Sequence, residues 1–374
     1  MLVEKGFLRP DHAHFPKATP VTHSFDQSHF LTIQICVSSA PMKNIFSCKQ
    51  PTHWRQLIQW LFFGWCVFLG VQFGLFVRHF ESQGMSGYYP RPPGVEGFLP
   101  IGSLMSLKTW LLTGHFDTVH PAALVLFLTF LVMALLTKKS FCSFICPVGT
   151  FSEVTWKFGY KLFGRNFRIW RGLDLVLQFI KYALLLFFVK LILIDMPAGA
   201  LKAYLAAPYW AIADVKMLHF FTRMSTTSML VISVLSLLSV VYRNFWCRYL
   251  CPYGALLGLL SMLGPFKVSR YEKTCIDCGA CSRACPQLID VQHKARVFSP
   301  ECTGCLTCVS NCPEKGALAI SLWNRPVRGL VFVAIVMILF GGGVLTGMLS
   351  GHWQTSLTYA DYQRLIPLAE RLGH

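Results

Sequence analysis

Long apolar runs separated by shorter polar segments dominate the hydropathy pattern of this chain. A membrane-spanning helix needs ~20 mostly apolar residues, and five stretches approach that length. They run over Leu57–Val77, Pro121–Thr137, Leu173–Ile194, Thr226–Tyr242 and Gly329–Leu349. The pattern therefore predicts an all-α polytopic membrane bundle with about five transmembrane helices.

Composition and charge agree with a membrane protein. Hydrophobic residues make up 54% of the 374 residues and charged residues only 14%, whereas soluble domains average ~25% charged residues. The net charge of +17 is compatible with nucleic acid or with anionic lipid. Because the basic residues lie beside the apolar stretches, we interpret them as membrane-orienting residues that face headgroups. We expect the lipid bilayer, and no nucleic acid, as a partner.

The distribution of Lys and Arg predicts the orientation. With a cytoplasmic N-terminus, the inner segments carry 24 of these residues and the outer segments 8. Cytoplasmic loops carry the excess of basic residues in membrane proteins. The count therefore predicts a multi-pass protein of the bacterial inner membrane, with its N-terminus inside and its C-terminus in the periplasm.

The apolar stretches also divide the chain into predicted domains. Residues 1–53 combine scattered Pro and His without a helical period, and we expect a disordered cytoplasmic segment. For residues 1–41, an overlong start assignment is the alternative. The other predicted parts are a four-span membrane domain (54–266), a small α+β ferredoxin-like domain (267–324), the fifth helix (325–350) and a periplasmic tail (351–374).

Two cysteine runs of identical spacing lie between the fourth and fifth stretches. They read Cys275-x2-Cys278-x2-Cys281-x3-Cys285-Pro286 and Cys302-x2-Cys305-x2-Cys308-x3-Cys312-Pro313. In bacterial ferredoxins with this spacing, the fourth cysteine of each run ligates the other [4Fe–4S] cluster. Zinc is the alternative for Cys-x2-Cys pairs, but the doubled run with its prolines favours clusters. The predicted ligand sets are Cys275, Cys278, Cys281 and Cys312 for one cluster, and Cys302, Cys305, Cys308 and Cys285 for the other.

A second cysteine pattern forms an internal repeat. Phe141-Cys-Ser-Phe-Ile-Cys-Pro-Val-Gly-Thr150 matches Trp246-Cys-Arg-Tyr-Leu-Cys-Pro-Tyr-Gly-Ala255, and each copy follows the inner end of a predicted helical hairpin. Residues four apart share a helix face, so each pair presents two thiols together. If the copies pack side by side, Cys142, Cys146, Cys247 and Cys251 converge. A third metal or iron–sulfur site, two redox dithiols and four unliganded cysteines are the three interpretations.

Three further residues are weaker candidates for a catalytic or quinone-contacting role. Lys181 lies inside the third stretch, where a charge costs ~2.5–3.5 kcal/mol at mid-helix. It is either a proton or quinone contact, or a lysine that snorkels to the membrane surface or precedes a span that begins later than Leu173. His115 and His120 flank the outer entrance of the second stretch, and histidine is suited to accept the proton of a quinol.

The two Cys-x3-Cys-Pro motifs, the apolar stretches and the doubled ferredoxin run together resemble the NapH/NosR-type membrane polyferredoxins. The segment Arg91-Pro-Pro-Gly-Val-Glu-Gly-Phe-Leu-Pro100 is similar to the nitrous-oxide-type members. A more distant resemblance is to the CcoG-like cupric reductases. The resemblance covers roughly residues 54–347. It implies electron transfer between the quinone pool, or a cytoplasmic donor, and a periplasmic redox enzyme or cytochrome.

Three functions follow from these patterns. The leading hypothesis is a membrane iron–sulfur electron carrier, or oxidoreductase subunit, of the quinol-dehydrogenase kind. A copper or other metal reductase acting at the Cys-x3-Cys-Pro site is the second, because soft thiolates favour Cu(I). A redox-sensing or assembly factor is the third.

Overall fold

The computed structural model describes residues 51–371, so the predicted disordered segment lies almost entirely outside the described residues. Within that range the chain is mostly helical. The α-helices are α1 Pro51–Glu81, α2 Pro100–Thr113, α3 Pro121–Thr137, α4 Phe141–Phe144, α5 Pro147–Phe163, α6 Arg171–Val189, α7 Ala198–Leu205, α8 Pro208–Ala211, α9 Ala213–Thr222, α10 Thr226–Val241, α11 Pro252–Leu263, α12 Ala280–Ala284, α13 Thr307–Ser310, α14 Gly329–Leu349 and α15 Tyr359–Leu365. The strands are β1 Phe266–Arg270, β2 Leu318–Leu322 and β3 Arg325–Val327.

Three helices are long and apolar enough to cross a membrane. These are α1, α14, and α6 together with the π-helical turn Lys190–Asp195 that continues it. Helices α9 and α10 meet the same criterion as a pair but are bent by 75°. By length and composition, residues 51–371 therefore hold three spans, or four if the bent pair is one. The predicted second span is α3, an apolar helix of 17 residues, which at ~1.5 Å per residue is shorter than a ~30 Å hydrocarbon core.

Helix α3 forms the centre of the part of the chain that the structure describes. It packs against α2, α11 and α14, and side chains from all around it, such as Leu124, Phe127 and Met133, are buried. A helix that is apolar on every side is stable when other helices surround it. This explains why so short an apolar helix occupies the core while the longer helices lie at its periphery.

The two copies of the internal repeat exchange their helices. In each copy an apolar helix (α3 or α10) leads into the cysteine motif and a second helix (α5 or α11) follows it. Helix α3 packs against α11 of the other copy, and α10 packs against α5. The packing is reciprocal, so the two motifs meet where the copies cross.

Two equivalent glycines allow the helices of the two copies to pack closely against each other. An ideal Cβ on Gly159 would lie 1.8 Å from the carbonyl oxygen of Val240, and one on Gly264 would lie 2.3 Å from that of Leu135. Gly159 and Gly264 lie equally far after the second cysteine of their own motif. Val240 and Leu135, whose carbonyls they contact, likewise lie equally far before the first cysteine of theirs. Glycine is required at both positions because a side chain would displace a helix backbone.

A small antiparallel sheet closes the segment that carries the two cysteine runs. The strand order is β1-β2-β3, with Phe266 opposite Leu322 and Arg270 opposite Leu318. The sheet therefore brings the beginning and the end of the cysteine-rich segment together, next to the end of α11 and the start of α14. The expectation of a mostly helical chain with a small sheet is confirmed.

Candidate iron–sulfur sites

The eight cysteines of the two runs line two separate cavities. One cavity, called the exposed cavity below, is lined by Cys275, Cys278, Cys281 and Cys312. The other, the buried cavity, is lined by Cys285, Cys302, Cys305 and Cys308. Each cavity thus combines three cysteines of one run with the fourth cysteine of the other, which is the grouping that the spacing predicts. Four thiols in each cavity are a donor set that suits a [4Fe–4S] cluster.

The exposed cavity lies at the surface. Cys278 is exposed, and the other three cysteines are partly accessible. The guanidinium of Arg270 lies 3.6 Å from the sulfur of Cys275. The same side chain pairs with Asp277 at 2.8 Å and with Glu272 at 3.3 Å. The positive charge near this cavity is therefore matched by carboxylates and by solvent.

The buried cavity belongs to the main apolar core. Cys285, Cys302 and Cys308 are buried in a cluster that includes Phe332 of α14 and Met133 of α3. Burial raises the pKa of the Cys285 thiol to about 12, and it also raises the pKa values of Cys302 and Cys308. Because metal-bound cysteines are thiolates, loading of a cluster here must release protons.

Equivalent residues of the two repeats hold the two loops of the buried cavity. The residue after the first cysteine of each motif donates to a loop carbonyl. Ser143 Oγ donates to the Thr303 carbonyl at 2.8 Å, and the Arg248 guanidinium donates to the Gln287 carbonyl. Asn244 of the second copy also donates to the Pro286 carbonyl at 3.2 Å. The loops of the buried cavity are therefore hydrogen-bonded to both repeats, at the point where the repeats cross.

The four cysteines of the repeated motifs are brought together beneath it. All four thiols interact electrostatically with at least one thiol of the other copy. Cys146 and Cys251 are the N-caps of α5 and α11, each with proline in the first turn. The sulfur of Cys251 accepts the Gly254 N–H at 3.2 Å, and that of Cys146 accepts from Gly149. Burial raises the pKa of both thiols, to about 12 for Cys146, and the N–H groups of the helix N-termini offset part of this effect.

A buried ion network joins the two groups of cysteines. Lys139, which is near Cys142, Cys247 and Cys251, lies 3.5 Å from the carboxylate of Glu301. Lys181 donates to the same carboxylate at 2.6 Å. Burial alone would raise the pKa of Glu301, but the two lysines lower it to about 2. Since Glu301 precedes Cys302, the network connects the repeated motifs to the buried cavity.

Two expectations about lysines are wrong. Lys181 does not snorkel to the membrane surface, because its side chain is fully buried in the ion pair with Glu301. Lys138 and Lys139 do not face headgroups either, since they are 0% and 3% exposed. The cysteine-rich segment folds back over the end of α3 and covers both side chains. Two lysines after an apolar stretch contain no information about a distant segment that covers them.

The two candidate histidines lie in different environments. His115 is exposed. His120 is fully buried, and its ring contacts the Trp210 carbonyl at 2.7 Å and the carboxylate of Glu96 at 3.4 Å. Arg91 pairs with Glu96 at 2.8 Å and with Asp214 at 2.7 Å in the same network. The segment Arg91–Pro100 thus supplies two charges of a buried network at the N-terminus of α3.

Within residues 51–371, no three Cys, His, Asp or Glu side chains converge closely enough to hold a single metal ion. The eight cysteines of the two runs line cavities rather than meeting at one point.

Several residues at these sites are absent from the sequence-based prediction. They are Ser143, Asn244, Arg248, Glu301 and Lys139. The repeat contains a signal for two of them, because Ser143 and Arg248 occupy the same position in the two motifs and are polar within apolar surroundings.

Models of two protein families match the chain. The model of a 4Fe-4S binding domain matches residues 119–169 and 224–271, and each segment contains one Cys-x3-Cys-Pro motif. The model of a 4Fe-4S dicluster domain matches residues 267–313, which contain both cysteine runs. The repeat and the runs are therefore both recognised as iron–sulfur sequences.

Curated proteins from bacteria are similar over much of their length. YccM of Escherichia coli (strain K12), provisionally named as an electron transport protein, is 41% identical over 334 residues, which are 87% of this chain and 93% of that protein. The ferredoxin-type protein NapH of the same strain is 24% identical over 73% of this chain and 90% of its own. The methylamine utilization ferredoxin-type protein MauN of Paracoccus denitrificans is 28% identical over 45% of this chain and 55% of its own. No solved structure matches the chain.

Proposed function

This chain belongs to the NapH-type family of membrane polyferredoxins, and we propose that it relays electrons through two [4Fe–4S] clusters. The relay joins the quinone pool, or a cytoplasmic donor, to a periplasmic redox partner. The observation that carries the proposal is the sorting of eight cysteines into two cavities of four, one at the surface and one in the core. A cluster at each cavity supplies a site that takes up and releases one electron at a time.

The lining of the two cavities supports the proposed ligands. Cys275, Cys278, Cys281 and Cys312 hold the cluster of the exposed cavity, and Cys285, Cys302, Cys305 and Cys308 hold that of the buried cavity. Exposure of Cys278 supports contact between the first cluster and a soluble donor. The loops of the buried cavity are fastened to the repeated motifs through Ser143 and Arg248, which supports onward transfer towards the helices.

We assign Cys142, Cys146, Cys247 and Cys251 to a third iron–sulfur site. The mutual interaction of thiols from both copies supports this assignment, as does the match of a 4Fe-4S binding domain to each motif. Lys139 and the N-termini of α5 and α11 supply positive charge to the thiolates.

The membrane arrangement is part of the proposal. The excess of Lys and Arg in the segments that carry the cysteines supports their placement on the cytoplasmic side, with the C-terminus in the periplasm. Strands β1 and β2 support a boundary of the ferredoxin-like part near residues 267–324.

Iron analysis and low-temperature paramagnetic resonance of anaerobically purified protein test the cluster content. Two clusters require about eight irons per chain, and a third raises the count to about twelve. Fewer than about eight would contradict the proposal. Cys142→Ser with Cys247→Ser should lower the iron or metal content if the repeated motifs hold a site, and unchanged content would reject it.

Activity assays separate the electron carrier from a metal reductase. Membranes that contain the protein should transfer electrons between a quinone analogue and a one-electron acceptor. Reduction of added cupric ion, with loss of this activity in Cys142→Ser, would favour the metal reductase instead. Absence of both activities would favour a redox-sensing or assembly factor.

A further inference from the structure

The buried cavity is flanked by cations that have no carboxylate partners. The ammonium groups of Lys138 and Lys267 repel each other, and both are attracted by a Cys302 thiolate. Their ammonium groups donate to carbonyls, Lys138 to Val297 at 3.2 Å and Lys267 to Met262 at 2.6 Å. Within residues 51–371, neither lysine forms an ion pair with a carboxylate. Buried charges without counter-charges are strongly destabilising, so an anion is expected beside them.

The second repeat supplies an equivalent cation. Arg243 precedes Cys247 by the same number of residues as Lys138 precedes Cys142. Its guanidinium donates to the carbonyl of Cys285 at 3.3 Å and to that of Arg283 at 3.1 Å. Lys138 and Arg243 therefore approach the buried cavity from its two sides, one beside Cys302 and the other beside Cys285.

The backbone at Lys138 indicates that its side chain is needed. Its φ of 65° and ψ of −173° lie in a region that is favourable only for glycine. A lysine in this conformation is strained, and glycine would avoid that strain. The fully buried side chain reaches the loops of the buried cavity instead of solvent.

We propose that Lys138 and Arg243, assisted by Lys267, are the counter-charges of the cluster in the buried cavity and hold its reduction potential above that of the cluster in the exposed cavity. This inference rests on the proposed function. Reduction adds a negative charge to a group that four thiolates already make anionic, and burial alone disfavours that charge. Nearby cations stabilise the added negative charge and therefore raise the reduction potential. At the exposed cavity, Asp277 and Glu272 cancel the charge of Arg270.

The consequence is a direction for the electrons. A one-electron donor that reduces the cluster of the exposed cavity is oxidised there, and the electron passes spontaneously to the buried cavity, towards the membrane helices. Transfer in the opposite direction is uphill by the difference between the two potentials.

Potentiometric titration of the complete protein, followed by paramagnetic resonance, tests the proposal. Lys138→Gln and Arg243→Gln should each lower the potential of the buried cluster enough to shift its reduced-to-oxidised ratio at least tenfold, which is about 59 mV for one electron. Lys138→Arg and Arg243→Lys should restore it. Lys273→Gln, at an exposed position beside the first run, should move neither potential.

The outcomes separate the two proposals. Wild-type protein with fewer than about eight irons would defeat the two-cluster relay itself. Normal iron content with an unmoved potential in both Gln variants would overturn the counter-charge role alone. If the Gln variants lose iron while the charge-keeping variants retain it, the role is supported. Loss of iron in both types of variant would instead make these residues structural and overturn it.

Discussion

The exposed and the buried cavities are built from the same cysteine spacing but lie in different surroundings. Around the exposed cavity, the cation Arg270 is paired with carboxylates and Cys278 is accessible. Around the buried cavity, the cysteines are part of the apolar core and the loops are fastened to both repeats. The comparison teaches that the motif defines the ligands, whereas the contacts outside the motif differentiate the two sites.

The largest difference is expected when a ligand is removed. Cys278→Ser should remove the exposed cluster, about four irons, and leave the signal of the buried cluster. Cys302→Ser should cost more than its own cluster, because Cys302 also belongs to the core that joins the cysteine-rich segment to the helices. Iron content and resonance spectra of the purified variants measure this. Equal losses of iron in the two variants would show that Cys302 serves only its own cluster and not the core.

The second largest difference is expected when an ion pair near each cavity is broken. Arg55 is 2% exposed, is near Cys305, and forms a bidentate pair with Glu153 at 2.9 Å. Glu153→Gln should lower the free energy of unfolding by ~3–5 kcal/mol, because a buried arginine is left without its counter-charge. Glu272→Gln, at the exposed cavity, should produce no measurable change, because solvent screens that pair. Thermal unfolding in detergent compares the two variants.

The same pair predicts a pH dependence. Burial alone would raise the pKa of Glu153, but Arg55 holds it well below its ordinary value of 4.5. Since the folded pKa is depressed, the stabilising contribution is complete above the unfolded pKa and is lost as the pH falls through the folded one. The stability difference between wild type and Glu153→Gln should therefore shrink on acidification below 4.5. A constant difference would contradict this assignment.

The smallest effect concerns the crossing of the repeats beneath the buried cavity. Gly159→Ala places a Cβ against the Val240 carbonyl and should destabilise the fold by ~1–3 kcal/mol. The buried cluster should be lost at a lower temperature, with the exposed cluster less affected. Gly341→Ala is the matched control, because nothing lies within 4 Å of its added Cβ. A similar melting temperature for both variants would argue against a close crossing.

The helices were largely predictable from the sequence. The apolar stretches Pro121–Thr137 and Gly329–Leu349 coincide with α3 and α14, and Thr226–Tyr242 differs from α10 by one residue. Helix α1 extends beyond the predicted stretch at both ends, because Pro51 begins it and Glu81 ends it in polar segments that hydropathy alone omits. Periodicity and apolar length are local properties, and here they locate the elements well.

Contacts between distant segments were not predictable in the same way. Burial of Lys138 and Lys139 depends on a segment that follows them by more than a hundred residues. The pairing of Lys181 with Glu301 likewise joins the middle of a helix to a loop near the second cysteine run. The equal spacing of Gly159 and Gly264 in the two copies was visible in the sequence. It became interpretable only once the helices were seen to exchange.

The reciprocal packing of the repeats has a consequence for biosynthesis. Ser143 and Arg248, which hold the loops of the buried cavity, both leave the ribosome before Cys285 and Cys302 do. The receiving surface can therefore be assembled by the time the cysteine-rich loops emerge. The sheet closes only when β2 has been synthesised. Maturation of the buried site is accordingly a late event, which follows the synthesis of β2.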